Sequence, residues 1–117
     1  MGNPLPKTTY VGAIGEIFSQ LQLLEFGIQA APPIKDSGND LIAIKGRNIK
    51  FIQIKTKLDG KTYSRNLPEV YDLVFYVELI TNDTGKFVFD MIVINVVDTT
   101  GTSLGILTQE LTDRIWS

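Results

Sequence analysis

The sequence predicts an α/β or α+β fold, one domain over residues 1–117 in which helix covers a central sheet of four to five strands. Three observations carry that expectation. One segment near the start repeats apolar residues at three and four positions. Four or five later segments are short and rich in Val, Ile and Phe, and turn-forming residues separate them. The order is helix, strand hairpin, basic loop, second hairpin, helix.

Residues 1–7, with Pro4 and Pro6, read as an extended arm. Thr8 or Thr9 can cap a helix that runs to about Phe26, with Gly27 placed to end it. Val11, Ile14, Ile17, Phe18, Leu21 and Leu24 make its apolar stripe. Gly12 and Gly15 sit beside that stripe, each costing about 1 kcal/mol relative to alanine. They mark either close approach of another backbone or a ragged helix start. Residues 28–31 are a short strand or an extended return, stopped by Pro32-Pro33. Residues 35–39 are a turn cluster. Residues 41–45 and 48–55 form a hairpin through Gly46-Arg47. Residues 56–68 are polar and basic and read as a surface loop. Residues 72–81 and 86–98 are two long strands joined through Asn82-Asp83-Thr84-Gly85. Residues 108–116 close the chain as a short helix, with Trp116 expected against the sheet or a second subunit.

Composition removes whole chemistries. The chain has 117 residues, 44% hydrophobic and 21% charged, with no Cys, no His and a formal charge of −2. Without Cys there is no disulfide, zinc knuckle or thiol nucleophile. Without His there is no imidazole base and no nitrogen ligand for a transition metal. Catalysis would rest on carboxylates, lysines, hydroxyls or a hard cation held by oxygen, which points to metal-assisted phosphate chemistry. Apolar runs stop at about five residues, against the roughly 20 that a membrane helix needs. No charged-then-apolar leader is present. The expectation is a soluble cytoplasmic protein.

The small net charge hides an asymmetry. Lys45, Arg47, Lys50, Lys55, Lys57, Lys61 and Arg65 are opposed locally by Asp59 alone, whereas acidic residues dominate from Glu69 onward. A positive segment therefore sits on an acidic body.

Oxygen donors near a lysine occur at three places: Gly15-Glu16 in the helix, Ser37-Gly38-Asn39-Asp40 ahead of a strand, and Gln53-Ile54-Lys55 in the next strand. Alternation puts Gln53 and Lys55 on one strand face about 7 Å apart. A turn at Gly46-Arg47 pairs Lys45 with Asn48 or Ile49, and so pairs Asp40 with Gln53 or its neighbour. The Asp40 carboxylate and the Gln53 amide oxygen can then meet across the ladder with Lys55 just beyond. A magnesium ion, which wants a few fixed oxygens and keeps several waters, suits that arrangement.

In order and approximate spacing, Gly15-Glu16, Gly38-Asn39-Asp40-Leu41 and Gln53-Ile54-Lys55-Thr56 resemble the PD-(D/E)XK nuclease superfamily. The resemblance is to its Q-x-K variants, including Holliday-junction resolvase-like and intron-endonuclease-like members, and it spans residues 10–57. It implies a restriction-endonuclease-like core with a mixed sheet flanked by helices, and a metal-dependent endonuclease that hydrolyses DNA. It implies Asp40 as principal metal ligand, Gln53 and the Ile54 carbonyl as further ligands, and Glu16 acting directly or through water. Lys55 would orient or deprotonate the attacking water. The ion implied is Mg²⁺, with Mn²⁺ as a substitute. Lys57, Lys61 and Arg65 would then hold the phosphate backbone, a contact common to DNA and RNA. Gln53 in place of Asp or Glu departs from the commonest pattern and removes one charge from the site. So short a chain has little material for base reading, which points to structure-directed cutting or a homodimer that cuts both strands. The rival reading on the same fold is a non-catalytic nucleic-acid- or protein-binding domain. A third is an unrelated interaction protein presenting its acidic half.

Overall fold

A computed structural model describes the backbone of residues 7–34, 40–61, 63 and 66–117, with side chains from Tyr10 onward. Of the arm expected over residues 1–7, Lys7 already belongs to the first helix, and residues 1–6 lie outside the described residues, as do the turn at 35–39 and Arg65. The elements are α1 (Lys7–Glu25), β1 (Gln29–Ala31), β2 (Leu41–Lys45), β3 (Asn48–Leu58) and β4 (Leu73–Leu79). They continue with a 3-10 turn (Phe89–Met91), β5 (Val93–Val97), β6 (Ser103–Ile106) and α2 (Gln109–Ile115). One mixed sheet runs in the order β1-β2-β3-β4-β5-β6, with β3 and β4 parallel and every other pair antiparallel.

The hairpin forms in the expected register, with Lys45 opposite Asn48 and Leu41 opposite Ile52. Gly27 ends α1 with φ +84°, a left-handed conformation that only glycine adopts without penalty. Its N–H donates to the Leu24 carbonyl, and the Ile28 N–H donates to that of Leu23. Thr8 and Thr9 fall inside α1 rather than capping it, because the helix already begins at Lys7.

Three differences have physical causes. β3 extends to Leu58, into the expected loop, because β4 pairs with it as far as Leu79. The strand expected over residues 86–98 is broken by the turn at Phe89–Met91. A sixth strand follows the turn built by Asp98, whose carboxylate accepts from the N–H groups of Thr100 and Thr102. The sheet therefore has six strands rather than four to five.

α1 differs in which face it buries. Val11, Gly15, Ser19 and Leu23 are buried, spaced four apart, while Ile17, Leu21 and Leu24 are exposed. Two small residues in the buried ridge let the helix lie close to the sheet. The Ser19 hydroxyl is satisfied within the helix by the Gly15 carbonyl at 2.7 Å. Both helices feed one core, in which Val11, Leu23, Leu111 and Trp116 pack on Leu41, Ile52, Ile54, Phe75 and Val77. Trp116 packs against the sheet, its indole N–H donating to the Ala43 carbonyl at 3.2 Å.

Candidate active site at the open edge of β3

β2 begins opposite Ile52, so among the described residues β3 runs on from Gln53 without a strand on that side while β4 stays paired on the other. Asp40 lies at this step. Its backbone N–H donates to the Ile52 carbonyl at 3.0 Å, and its carboxylate accepts the Ile54 N–H at 2.7 Å. A carboxylate thus continues the ladder where the strand has stopped. In a strand the N–H and C=O of one residue leave on the same side, so the Ile54 carbonyl faces this edge too.

Gly15 determines where Glu16 goes. A Cβ at position 15 would overlap the Thr56 side chain, so glycine is what allows α1 to approach β3. Of the two readings of Gly12 and Gly15, close approach holds at Gly15, although it meets a side chain rather than backbone; a Cβ on Gly12 would meet open space. The next residue, Glu16, is brought against Asp40. Its carboxyl is pushed up from 4.5 to about 7, first by burial, then by the Asp40 charge and by a hydrogen bond to the Asp40 carboxylate. Two carboxyls are forced together at the edge of β3, an arrangement that favours a proton or a cation between them.

Gln53 and Lys55 flank Ile54 and share a strand face, whereas the Ile54 side chain enters the core. Among the described residues, the Gln53 Oε1 atom is buried without a hydrogen-bond partner. A buried amide oxygen in that state is costly and needs a donor or a cation. Lys55 is half-buried and stands opposite Tyr76 of β4. Among the described residues no group of three His, Cys, Asp or Glu gathers. A cation here would be held by two carboxylates supplemented by amide oxygens, a donor set that suits a hard ion.

The basic segment divides. Lys57 is engaged within the protein: its ammonium lies 3.4 Å from Glu78 and 4.6 Å above the Tyr63 ring. Tyr63 also meets Tyr76 edge-on at 4.9 Å, and its hydroxyl is pushed up to about 12 by burial and the nearby Glu78 charge. Lys61 is exposed. The sequence reading missed this clamp of Lys57, Glu78 and Tyr63, because it depends on the register that sets Lys57 opposite Glu78. It also missed Asp72, whose carboxylate accepts the Phe51 N–H at 2.7 Å while its own N–H donates to the Phe51 carbonyl at 2.8 Å. That pair fixes the start of β4 against β3.

No protein-family model matches the sequence, and no curated protein matches it. Among solved structures, the chain is similar to a bacterial homing endonuclease, I-Ssp6803I. The TM-score is 0.55, covering 88% of this chain and 79% of that one, at 15% sequence identity. At that identity the likeness is one of fold alone. No described helix is long and apolar enough to cross a membrane.

Proposed function

We propose that the chain is a metal-dependent endonuclease of the PD-(D/E)XK type that hydrolyses DNA phosphodiester bonds. The observation that carries this reading is the pair of carboxyls, Glu16 and Asp40, brought together where Asp40 accepts the Ile54 N–H of β3. Asp40, Glu16, Gln53 and the Ile54 carbonyl would hold a divalent cation, Mg²⁺ or Mn²⁺. When bound, the cation acidifies a ligated water and offsets charge growing on the phosphate. Asp40 is anchored by the Ile54 N–H, so its carboxylate is held to the strand before any ligand arrives. Lys55, two residues beyond Gln53, stabilises negative charge on the phosphate and orients the attacking water. Lys61 contacts the phosphate backbone, whereas Lys57 serves the loop through Tyr63 and Glu78.

Plasmid and branched DNA incubated with Mg²⁺, Mn²⁺ or EDTA test the reading. Cleavage is expected with either ion and lost in EDTA, and Asp40→Asn or Lys55→Ala should slow it by about 10²-fold or more. Nicking in EDTA, or full activity after Lys55→Ala, rules the mechanism out. Salt-sensitive DNA binding without cleavage, unaffected by Asp40→Ala, selects the non-catalytic binding domain instead.

A further inference from the structure

Most of the described solvent side of α1 is apolar. From Tyr10 to Leu24 the exposed positions are Ala13, Ile17, Leu21 and Leu24, and the exposed Glu25 follows at the end of the helix. A helix that faces water on one side ordinarily presents charged or polar residues there. Here the small residues Gly15 and Ser19 face the sheet between Val11 and Leu23, and the large apolar side chains of Ile17, Leu21 and Leu24 face away from it. Ile14, Ile17, Leu21 and Leu24 follow a three-four-three spacing, the repeat with which one helix receives another. Phe18 extends the patch sideways by stacking on Phe89, with ring centroids 6.3 Å apart, and Phe89 and Met91 are themselves more than half exposed.

We infer that this surface is the interface of a homodimer, in which the α1 helices of two copies pack antiparallel across a two-fold axis. A stripe without charge and with a regular repeat is complementary to itself, as a two-fold interface requires. The area is sufficient. Ile17 is 65% exposed, Leu21 and Leu24 50%, Phe89 56% and Met91 58%. At about 200 Å² for a large apolar residue, these five offer about 550 Å² per copy. A pair buries about 1,100 Å², above the roughly 1,000 Å² at which specific interfaces begin, before Ala13 is counted. The exposed apolar surface lies near the upper end of the largest patch that a monomer leaves in water, about 300–600 Å², and patches of that size are often functional. The inference is independent of whether the chain cleaves DNA.

Analytical ultracentrifugation of the full chain over about 1–100 μM tests it. The wild type should sediment as a species of twice the 13.0 kDa chain mass, and Ile17→Glu and Leu21→Glu should sediment as monomers with unchanged circular dichroism. A wild type that stays monomeric throughout overturns the inference, as does a folded Leu21→Glu protein that stays dimeric. The chain has no Cys, so a single introduced cysteine gives a second readout. Leu21→Cys should give crosslinked dimers with a short bis-maleimide, and Asp83→Cys, in an exposed turn, should not. Equal crosslinking at both positions, or none at Leu21→Cys, places the contact elsewhere and overturns the inference.

Discussion

Replacing Glu16 with Gln should stabilise the metal-free protein at alkaline pH and leave it unchanged in acid. Burial and the Asp40 charge raise the Glu16 carboxyl from 4.5 to about 7. The folded chain therefore keeps a proton that the unfolded chain releases between those values. Stability falls as pH rises through that window and stays lowered above it. At about 1.4 kcal/mol for each tenfold change in proton affinity, the displacement sets a ceiling of about 3 kcal/mol. Glu16 is only half-buried, and solvent screening brings the effect to about 1–1.5 kcal/mol. Glu16→Gln removes the charge and can still donate to Asp40, so the gain is full at about pH 8 and absent at about pH 4. For 117 residues, with about 2.1 cal/mol/K of unfolding entropy per residue, it amounts to about 4–6 °C in Tm. Thermal melts in EDTA, followed by circular dichroism and by fluorescence of the single tryptophan, Trp116, measure it. A variant no more stable than wild type at about pH 8, or equally stabilised at about pH 4, refutes the reasoning.

Other substitutions probe the supports of the site. Gly15→Ala should lower stability by about 1–3 kcal/mol through overpacking against Thr56, despite the better helix propensity of alanine; a neutral result in urea unfolding would mean that α1 does not lie so close to β3. Asp72→Ala leaves the Phe51 N–H without its charged partner and should cost about 1.5–3 kcal/mol, read as a shift of the denaturation midpoint at unchanged slope. Trp116→Ala should cost about 3–5 kcal/mol, and a smaller loss would show that α2 contributes little to the core. Tyr63→Ala should expose the segment after β3 to trypsin at Lys61 while Tyr63→Phe does not, since the contacts to Lys57 and Tyr76 use the ring and not the hydroxyl.

Much of the fold was legible because local rules governed it. The Gly46-Arg47 turn determined the hairpin register, and that register carried Asp40 to the level where β3 presents Gln53 and Ile54. The end of α1 followed from Gly27. The buried face of α1 was misread because apolar residues occur on both sides of the helix, and the sheet selected the side with Gly15 and Ser19. Periodicity alone assigns the larger side chains to the core. The sixth strand is short and contains Gly105 at φ +110°, so it carries almost no alternation signal; the Asp98-Thr99-Thr100-Gly101 turn before it was the available cue. Lys57 read as one of several solvated cations because neither Glu78 nor Tyr63 is near it in the chain.

By itself the sequence determined the order of the main elements, the absence of thiol and imidazole side chains, and the hairpin register that brings Asp40 level with Gln53 and Ile54. Those features depend on residue identity and on contacts a few positions apart. The tertiary structure alone decided that Glu16 presses on Asp40, that the Gln53 oxygen is buried without a partner among the described residues, and that Lys57 is engaged by the loop. Each of these requires two distant segments to meet: the close approach of Gly15 to Thr56 and the start of β2 only at the level of Ile52 leave Glu16 and Asp40 together, and the β3–β4 register sets Lys57 against Glu78.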